Sequence, residues 1–235
     1  MAKKDRTGNR IARAKRKPFK IPELGYYLIV TDTKATERCY FEGLCNSLPE
    51  NIRGRLVIKV IEAKKTDKLI DKCIEFVAKS PQYRIPWIVF DRDQVNNFDD
   101  IIVEAESKGI NVGWSNPCFE MWMYAYFGSM PSIADSWKCC SEFAAVYKSK
   151  TGQQYEKSDK QIYTNICKTG DEEKAIRIAQ SKFKQHVRDG VSKPSDMCPC
   201  TTVHRLVNEI KVKKIQQADE ASWSVEIDIA GQLPK

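Results

Sequence analysis

The sequence predicts an α/β fold: a mainly parallel four-stranded sheet with flanking helices, followed by a helical C-terminal region. Three observations carry this expectation. Short apolar runs alternate with amphipathic segments of helix length. The first runs are continuous rather than alternating, as strands buried on both faces require. Beyond Pro117 the alternation gives way to helical patterns. Strands separated by helices join in parallel through right-handed crossovers.

The first strand is Tyr26-Tyr27-Leu28-Ile29-Val30. Thr36 to Leu48 follows as a helix, with Cys39, Tyr40, Leu44 and Leu48 at helical spacing and Pro49 closing it. Leu56-Val57-Ile58-Lys59-Val60-Ile61 is the second strand, and Thr66 to Lys79 a helix with an apolar stripe from Leu69 to Ala78. Trp87-Ile88-Val89-Phe90 is the third strand, followed by a helix carrying Ile101, Ile102 and Ala105 that ends near Gly109. Ile110 to Trp114 is a fourth strand. Helices are then expected at 119–127, 141–148, 171–187 and 201–213. In the third of these Ala175, Ala179, Phe183 and Val187 form a core-facing stripe. Trp223, Val225, Ile227 and Ile229 alternate with polar residues, as in an edge strand. This gives three segments: a basic flexible tail at 1–20, an α/β core at 21–130, and a mainly helical region at 131–235 packed on it.

The 235 residues, 42% hydrophobic and 30% charged, suffice for one such domain with an appendage. Lys and Arg outnumber Asp and Glu by 39 to 31, a net charge of +8. Residues 1–20 hold nine basic residues against Asp5, so the body from Ile21 onward is balanced. A basic domain surface is thereby excluded, and attraction for a polyanion is assigned to the tail, with Arg13, Arg16 and Lys17 among its contacts. No secretory apolar region and no membrane-length apolar stretch is present, which points to a cytoplasmic protein with no membrane role. Nine cysteines at irregular spacing indicate reduced thiols rather than a disulfide framework. Cys198-Pro199-Cys200 with His204 offers three soft ligands, one short of a structural zinc site.

The chemistry-bearing residues collect where the strands end. In a parallel sheet the residues just past the strands' C-terminal ends converge on one edge, where ligands of open α/β proteins bind. Asp32 follows strand one, Asp91 and Asp93 follow strand three, and Glu120 follows strand four. Continued strand geometry through Arg92 would point Asp91 and Asp93 to one face. Gathered carboxylates repel unless a cation joins them, and hard oxygen donors suit Mg²⁺ or Mn²⁺. The competing reading makes Asp93 a helix cap, Asp32 a turn residue and Glu120 a first-turn acid. Lys34, Arg38 and Arg92 flank the acids as candidate phosphate contacts. Trp114, Trp122, Tyr124 and Tyr126 are base-stacking candidates or, more simply, core. Phosphate-loop, dinucleotide and nucleophile-elbow motifs are missing, which argues against nucleotide hydrolysis by this chain alone.

Four ordered motifs, Thr36-Glu37-Arg38-Cys39-Tyr40-Phe41, Phe90-Asp91-Arg92-Asp93, Ser115-Asn116-Pro117-Cys118-Phe119-Glu120 and Thr202-Val203-His204-Arg205-Leu206, together resemble the RloB-like (AbiLii-like) family over roughly residues 25–210. The resemblance implies a bacterial anti-phage defence or abortive-infection protein paired with an ATPase. It also implies a Toprim-like fold, in which an acid after the first strand and an Asp-x-Asp after the third bind Mg²⁺ for nucleic-acid cleavage. Carried over, Asp32, Asp91 and Asp93 are the metal set. Glu120 and Asn116 lie beside them, and His204 is either a packed histidine or an acid, base or phosphate contact. One departure stands out: Asp32-Thr33 replaces the family's Glu-Gly, and Asp is one methylene shorter. Glu37 is either a compensating carboxylate or a helix-dipole acid.

Two functions follow as expectations. The first is a metal-dependent nuclease acting on RNA or DNA, with Asp32, Asp91, Asp93, Glu37, Glu120 and His204 as its candidate catalytic set. The second is a non-catalytic Toprim-like subunit that binds nucleic acid or regulates an ATPase. Assembly into a homo-oligomer is left open in both.

Overall fold

The computed structural model describes residues 25–32, 35–53, 56–93 and 95–213. Strands β1 (Gly25–Thr31), β2 (Leu56–Glu62), β3 (Ile85–Asp91) and β4 (Asn111–Asn116) pair in parallel in the order β2-β1-β3-β4. This is the expected sheet. A fifth strand, β5 (Cys200–Thr201), pairs antiparallel with β4, setting Thr201 opposite Ser115 and Cys200 opposite Asn116. The helix expected from Thr201 therefore begins later. Two residues are too few for periodicity to register, and the helix instead spans 203–213.

The helices are α1 (Thr36–Ser47), α2 (Glu50–Arg53), α3 (Leu69–Lys79), α4 (Phe98–Ser107), α5 (Glu120–Tyr126), α6 (Ser136–Thr151), α7 (Ile162–Thr169), α8 (Glu172–Arg188) and α9 over 203–213. α6 starts earlier than expected because the Asp135 side chain caps it, accepting the Lys138 N–H at 2.7 Å. Gly152, at φ 74°, ends it in the left-handed conformation. α7 was not anticipated; its buried positions Ile162, Tyr163 and Ile166 make too short a stripe. α8 buries Ala175 and Ala179, but Val187 is exposed, contrary to expectation. Arg205 stacks on the Phe183 ring, 4.6 Å from its centroid, and beyond it His186 rather than Val187 faces inward, with Nε2 3.2 Å from the Pro199 carbonyl. The alternating segment 223–229 and the tail 1–20 lie outside the described residues.

Burial on both faces explains the continuous apolar runs. Tyr27, Ile29, Trp87 and Val89 pack on one side with side chains of α1, α5, α6, α7, α8 and α9. Leu28, Val30, Ile88 and Phe90 pack on the other with α3 and α4. Trp122 and Tyr126 are fully buried, and Trp114 and Tyr124 nearly so, which makes them core rather than stacking surfaces. Because β1 lies between β2 and β3, the winding direction reverses at the β1–β3 boundary. At such a reversal the crossovers leave a crevice at the strands' C-terminal ends.

Close helix contact makes Gly43 sterically necessary. A Cβ there would lie 2.6 Å from Cβ of Tyr163 on α7. Gly43→Ala is expected to destabilise the protein by about 1–3 kcal/mol through overpacking, despite alanine's better helix propensity. Denaturant unfolding checks this, and an unchanged or raised midpoint would contradict it.

Candidate functional site

Register decides which side chains meet at the crevice. Thr31 pairs with Val89, which brings Asp32 level with the last residues of β3, and Asp91 pairs with Ser115 of β4. Glu37 arrives from the first turn of α1 and Glu120 from the first turn of α5. Asp32, Glu37 and Glu120 are buried, at 8%, 5% and 1% exposure. Burial first, and then the charges of Glu37, Asp32, Glu120 and Asp93, push the Asp91 carboxyl well above the usual carboxylate range. The sheet edge therefore gathers five carboxylates from four elements around Asp91.

Their individual contacts differ. Asp32 Oδ2 accepts from Thr66 Oγ1 at 3.2 Å. Glu120 Oε1 accepts from the Tyr155 hydroxyl at 2.5 Å and pairs with Lys157 Nζ at 3.6 Å. The Tyr155 hydroxyl also lies 3.2 Å from Thr36 Oγ1, beside Glu37. Asp93 is exposed and accepts from Ser136 Oγ at 2.7 Å, because β3 ends at Asp91 and the chain turns before Asp93. Oxygens of Asp32, Asp91 and Asp93 are not all within 4.8 Å of one another. This donor set nonetheless fits Mg²⁺ or Mn²⁺, because such ions take one or two carboxylates and complete their shell with water and phosphate oxygens.

Several other sequence candidates have contacts within the scaffold. His204, on the first turn of α9, has Nδ1 3.0 Å from the Thr201 carbonyl, and burial pushes its pKa down to about 4. Asn116 donates to the Pro194 and Ser195 carbonyls at 3.2 and 3.0 Å, fastening the turn before β5. Arg38 pairs with Glu42 at 2.8 Å and Glu62 at 3.5 Å. Arg92 donates to the Val95 carbonyl at 2.8 Å and shapes the loop after β3. Lys34 and the tail residues Arg13, Arg16 and Lys17 lie outside the described residues.

Other residues complete the site. A cleft of about 710 Å³ opens beside Asp91 and Asp93 and is walled by Cys118, Ser136, Trp137, Cys140, Tyr155 and Lys157. Trp137 is 84% exposed at its rim. The side chains of Cys118, Glu120 and Cys140 bring their donor atoms within 4.8 Å of one another. Cys198 and Cys200, the pair visible in the sequence, form no such cluster with His204; Cys198 Sγ contacts the Ile133 carbonyl at 3.6 Å. Trp137 and Lys157 are spaced irregularly along the chain, and no sequence pattern marks them.

The family described as RloB-like protein matches residues 27–210. Neither the curated proteins nor the solved structures give a match.

The crowded carboxylates have a cost in stability. An acid whose folded pKa lies above its unfolded value holds its proton preferentially in the folded state, so stability is greatest below the ordinary carboxylate range and falls as pH rises above it. In chelator, the melting temperature should fall as pH is raised from that range towards neutrality. Asp91→Asn should blunt the fall and melt higher at neutral pH. A variant that melts lower there, with the same pH slope, would contradict the assignment.

Proposed function

Since this chain belongs to the RloB-like family, we propose that it is a metal-dependent phosphodiesterase of Toprim-like type that cleaves RNA or DNA in anti-phage defence, together with an ATPase partner. The observation that supports this reading is the set of five carboxylates gathered on Asp91 at the β1–β3 crevice, beside an open cleft. Asp91, with Asp32 or Asp93 as a second carboxylate, would hold the cation, and water and phosphate oxygens would complete its shell. Bound there, Mg²⁺ or Mn²⁺ supplies a Lewis acid for phosphoryl oxygen and lowers the pKa of a coordinated water.

The chain's own residues do the rest. Tyr155 orients Glu120 by its hydroxyl and ties it to the start of α1 through Thr36. Lys157 presents an ammonium group on the cleft wall, where the other charged residues are acids. Glu37 and Glu120, both buried, add negative charge that favours cation over proton at Asp91. The tail supplies attraction for the polyanion without sequence preference. Among the described residues no helix is long and apolar enough to cross a membrane.

A second reading, a non-catalytic nucleic-acid-binding or ATPase-regulating subunit, draws on the engagement of Asp93 by Ser136 and of Asp32 by Thr66. Incubating the protein, with and without the neighbouring ATPase, with transfer RNA, single-stranded DNA and plasmid in Mg²⁺ or Mn²⁺ separates the two. Asp91→Ala/Asp93→Ala should lower cleavage at least ~100-fold, the size of effect expected for a principal electrostatic group. Cutting that survives both this change and EDTA would overturn the metal mechanism, and no cutting by the unaltered protein on any substrate would favour the regulatory reading. Removing residues 1–20 should weaken binding and flatten its dependence on log[salt]; an unchanged slope would reject the role given to the tail.

A further inference from the structure

The wall of the cleft carries a second set of donors of different chemistry. Cys118, just after β4, and Cys140, on the second turn of α6, place their sulfurs 3.9 Å apart. A Glu120 oxygen lies within 4.8 Å of both. A disulfide would need the sulfurs about 2.04 Å apart. Two thiolates on one tetrahedral zinc, with bonds of about 2.3 Å, sit about 3.8 Å apart. The observed spacing is that of the zinc tetrahedron's edge, so a metal could enter with little movement of either element.

We propose that Cys118, Cys140 and Glu120 form a zinc site with three protein ligands and a fourth position open to the cleft. Donor softness sets it apart from the carboxylates around Asp91: thiolates select Zn²⁺ strongly over Mg²⁺, whereas an all-carboxylate set suits hard ions such as Mg²⁺ or Mn²⁺. Three ligands and an open position are the composition of zinc sites that bind water or substrate, whereas structural sites close with four. Cys118 and Cys140 both line the cleft, which gives the fourth position its access. Charge also balances. Zn²⁺ entry releases the two thiol protons to solvent, and the two thiolates and one carboxylate then leave a single negative charge. The Lys157 ammonium, 3.6 Å from Glu120 Oε1, neutralises it.

The test uses the full chain, purified without chelator, and reads metal rather than cleavage. Elemental analysis should find about one zinc per chain. Exchange with Co²⁺ should give near-ultraviolet thiolate-to-cobalt charge transfer and the intense visible bands of tetrahedral cobalt. Cys140→Ser, at a half-buried position, should lose the charge-transfer band and weaken zinc binding by ~100-fold or more. Cys118→Ser and Glu120→Gln should weaken it too. Cys198→Ser, outside the cluster, should keep full zinc, and so should Asp91→Asn. Far-ultraviolet circular dichroism separates loss of metal from loss of fold, and Cys140→Ser decides the matter if the buried Cys118→Ser does not fold. A protein isolated without zinc that binds Co²⁺ with no charge-transfer band would overturn the proposal, as would a Cys140→Ser variant that binds zinc like the parent. Failure of the nuclease reading leaves these readouts untouched, and absence of zinc leaves cleavage in Mg²⁺ untouched.

Discussion

The parallel pairing of β1 with β3 is the constraint on which the rest of the structure depends. Each member of the pair is apolar on both faces, so each must be covered by helices on both sides, and parallel pairing forces the intervening chain to cross over through those helices. The same pairing fixes the level of every strand end. A one-residue slip would carry Tyr27 and Ile29 to the opposite face and Asp32 away from Asp91. Burial of the core and convergence of the acids are therefore not separate achievements. The hydrophobic pattern that sets the register also holds like charges together against their repulsion.

That repulsion is managed by neighbours outside the sheet. Tyr155, from the connection between α6 and α7, reaches Glu120 on α5 and Thr36 on α1, so one hydroxyl links two helices and a loop above the strand ends. Ser136 at the start of α6 draws Asp93 outward. On the far side of β4, Asn116 and Asp99 both hold the turn at 194–196, the latter accepting the Ser195 N–H at 2.8 Å. The helical C-terminal part thus does more than cover a face. It supplies the polar contacts that keep individual carboxylates apart.

What the sequence disclosed follows from the range of the interactions involved. Strands β1 to β4 and helices α1, α3, α4 and α8 were visible because burial on a repeating face writes a periodic pattern. Asp32, Asp91 and Glu120 were visible because parallel strands place their successors on a common edge. Helix α7 and strand β5 were hidden by brevity, and Val187 was misplaced because His186 takes the inward position at that turn. Arg38, Arg92, Asn116 and His204 show the limit for polar residues: the sequence places them near a site, while hydrogen bonding decides what they serve. Cysteine spacing is subject to the same limit. Cys198 and Cys200 are close in sequence but form no donor cluster with His204, whereas Cys118 and Cys140 meet because α6 folds back over the end of β4.

The short β5 has an effect on the sheet as a whole. It occupies the free side of β4 where that strand ends, and the chain continues along β4 with the Thr202 N–H donating to the Trp114 carbonyl at 2.8 Å. Among the described strands the sheet is then bounded by the two-residue β5 at one side and by the seven-residue β2 at the other. At the middle of β2 stands Lys59, exposed on a strand whose other side chains are at least partly buried. Bringing a second strand alongside would crowd this ammonium against the incoming chain, a common means by which proteins blunt a free margin. Growth of the sheet is limited at one side by the shortness of its last strand and discouraged at the other by a single charge.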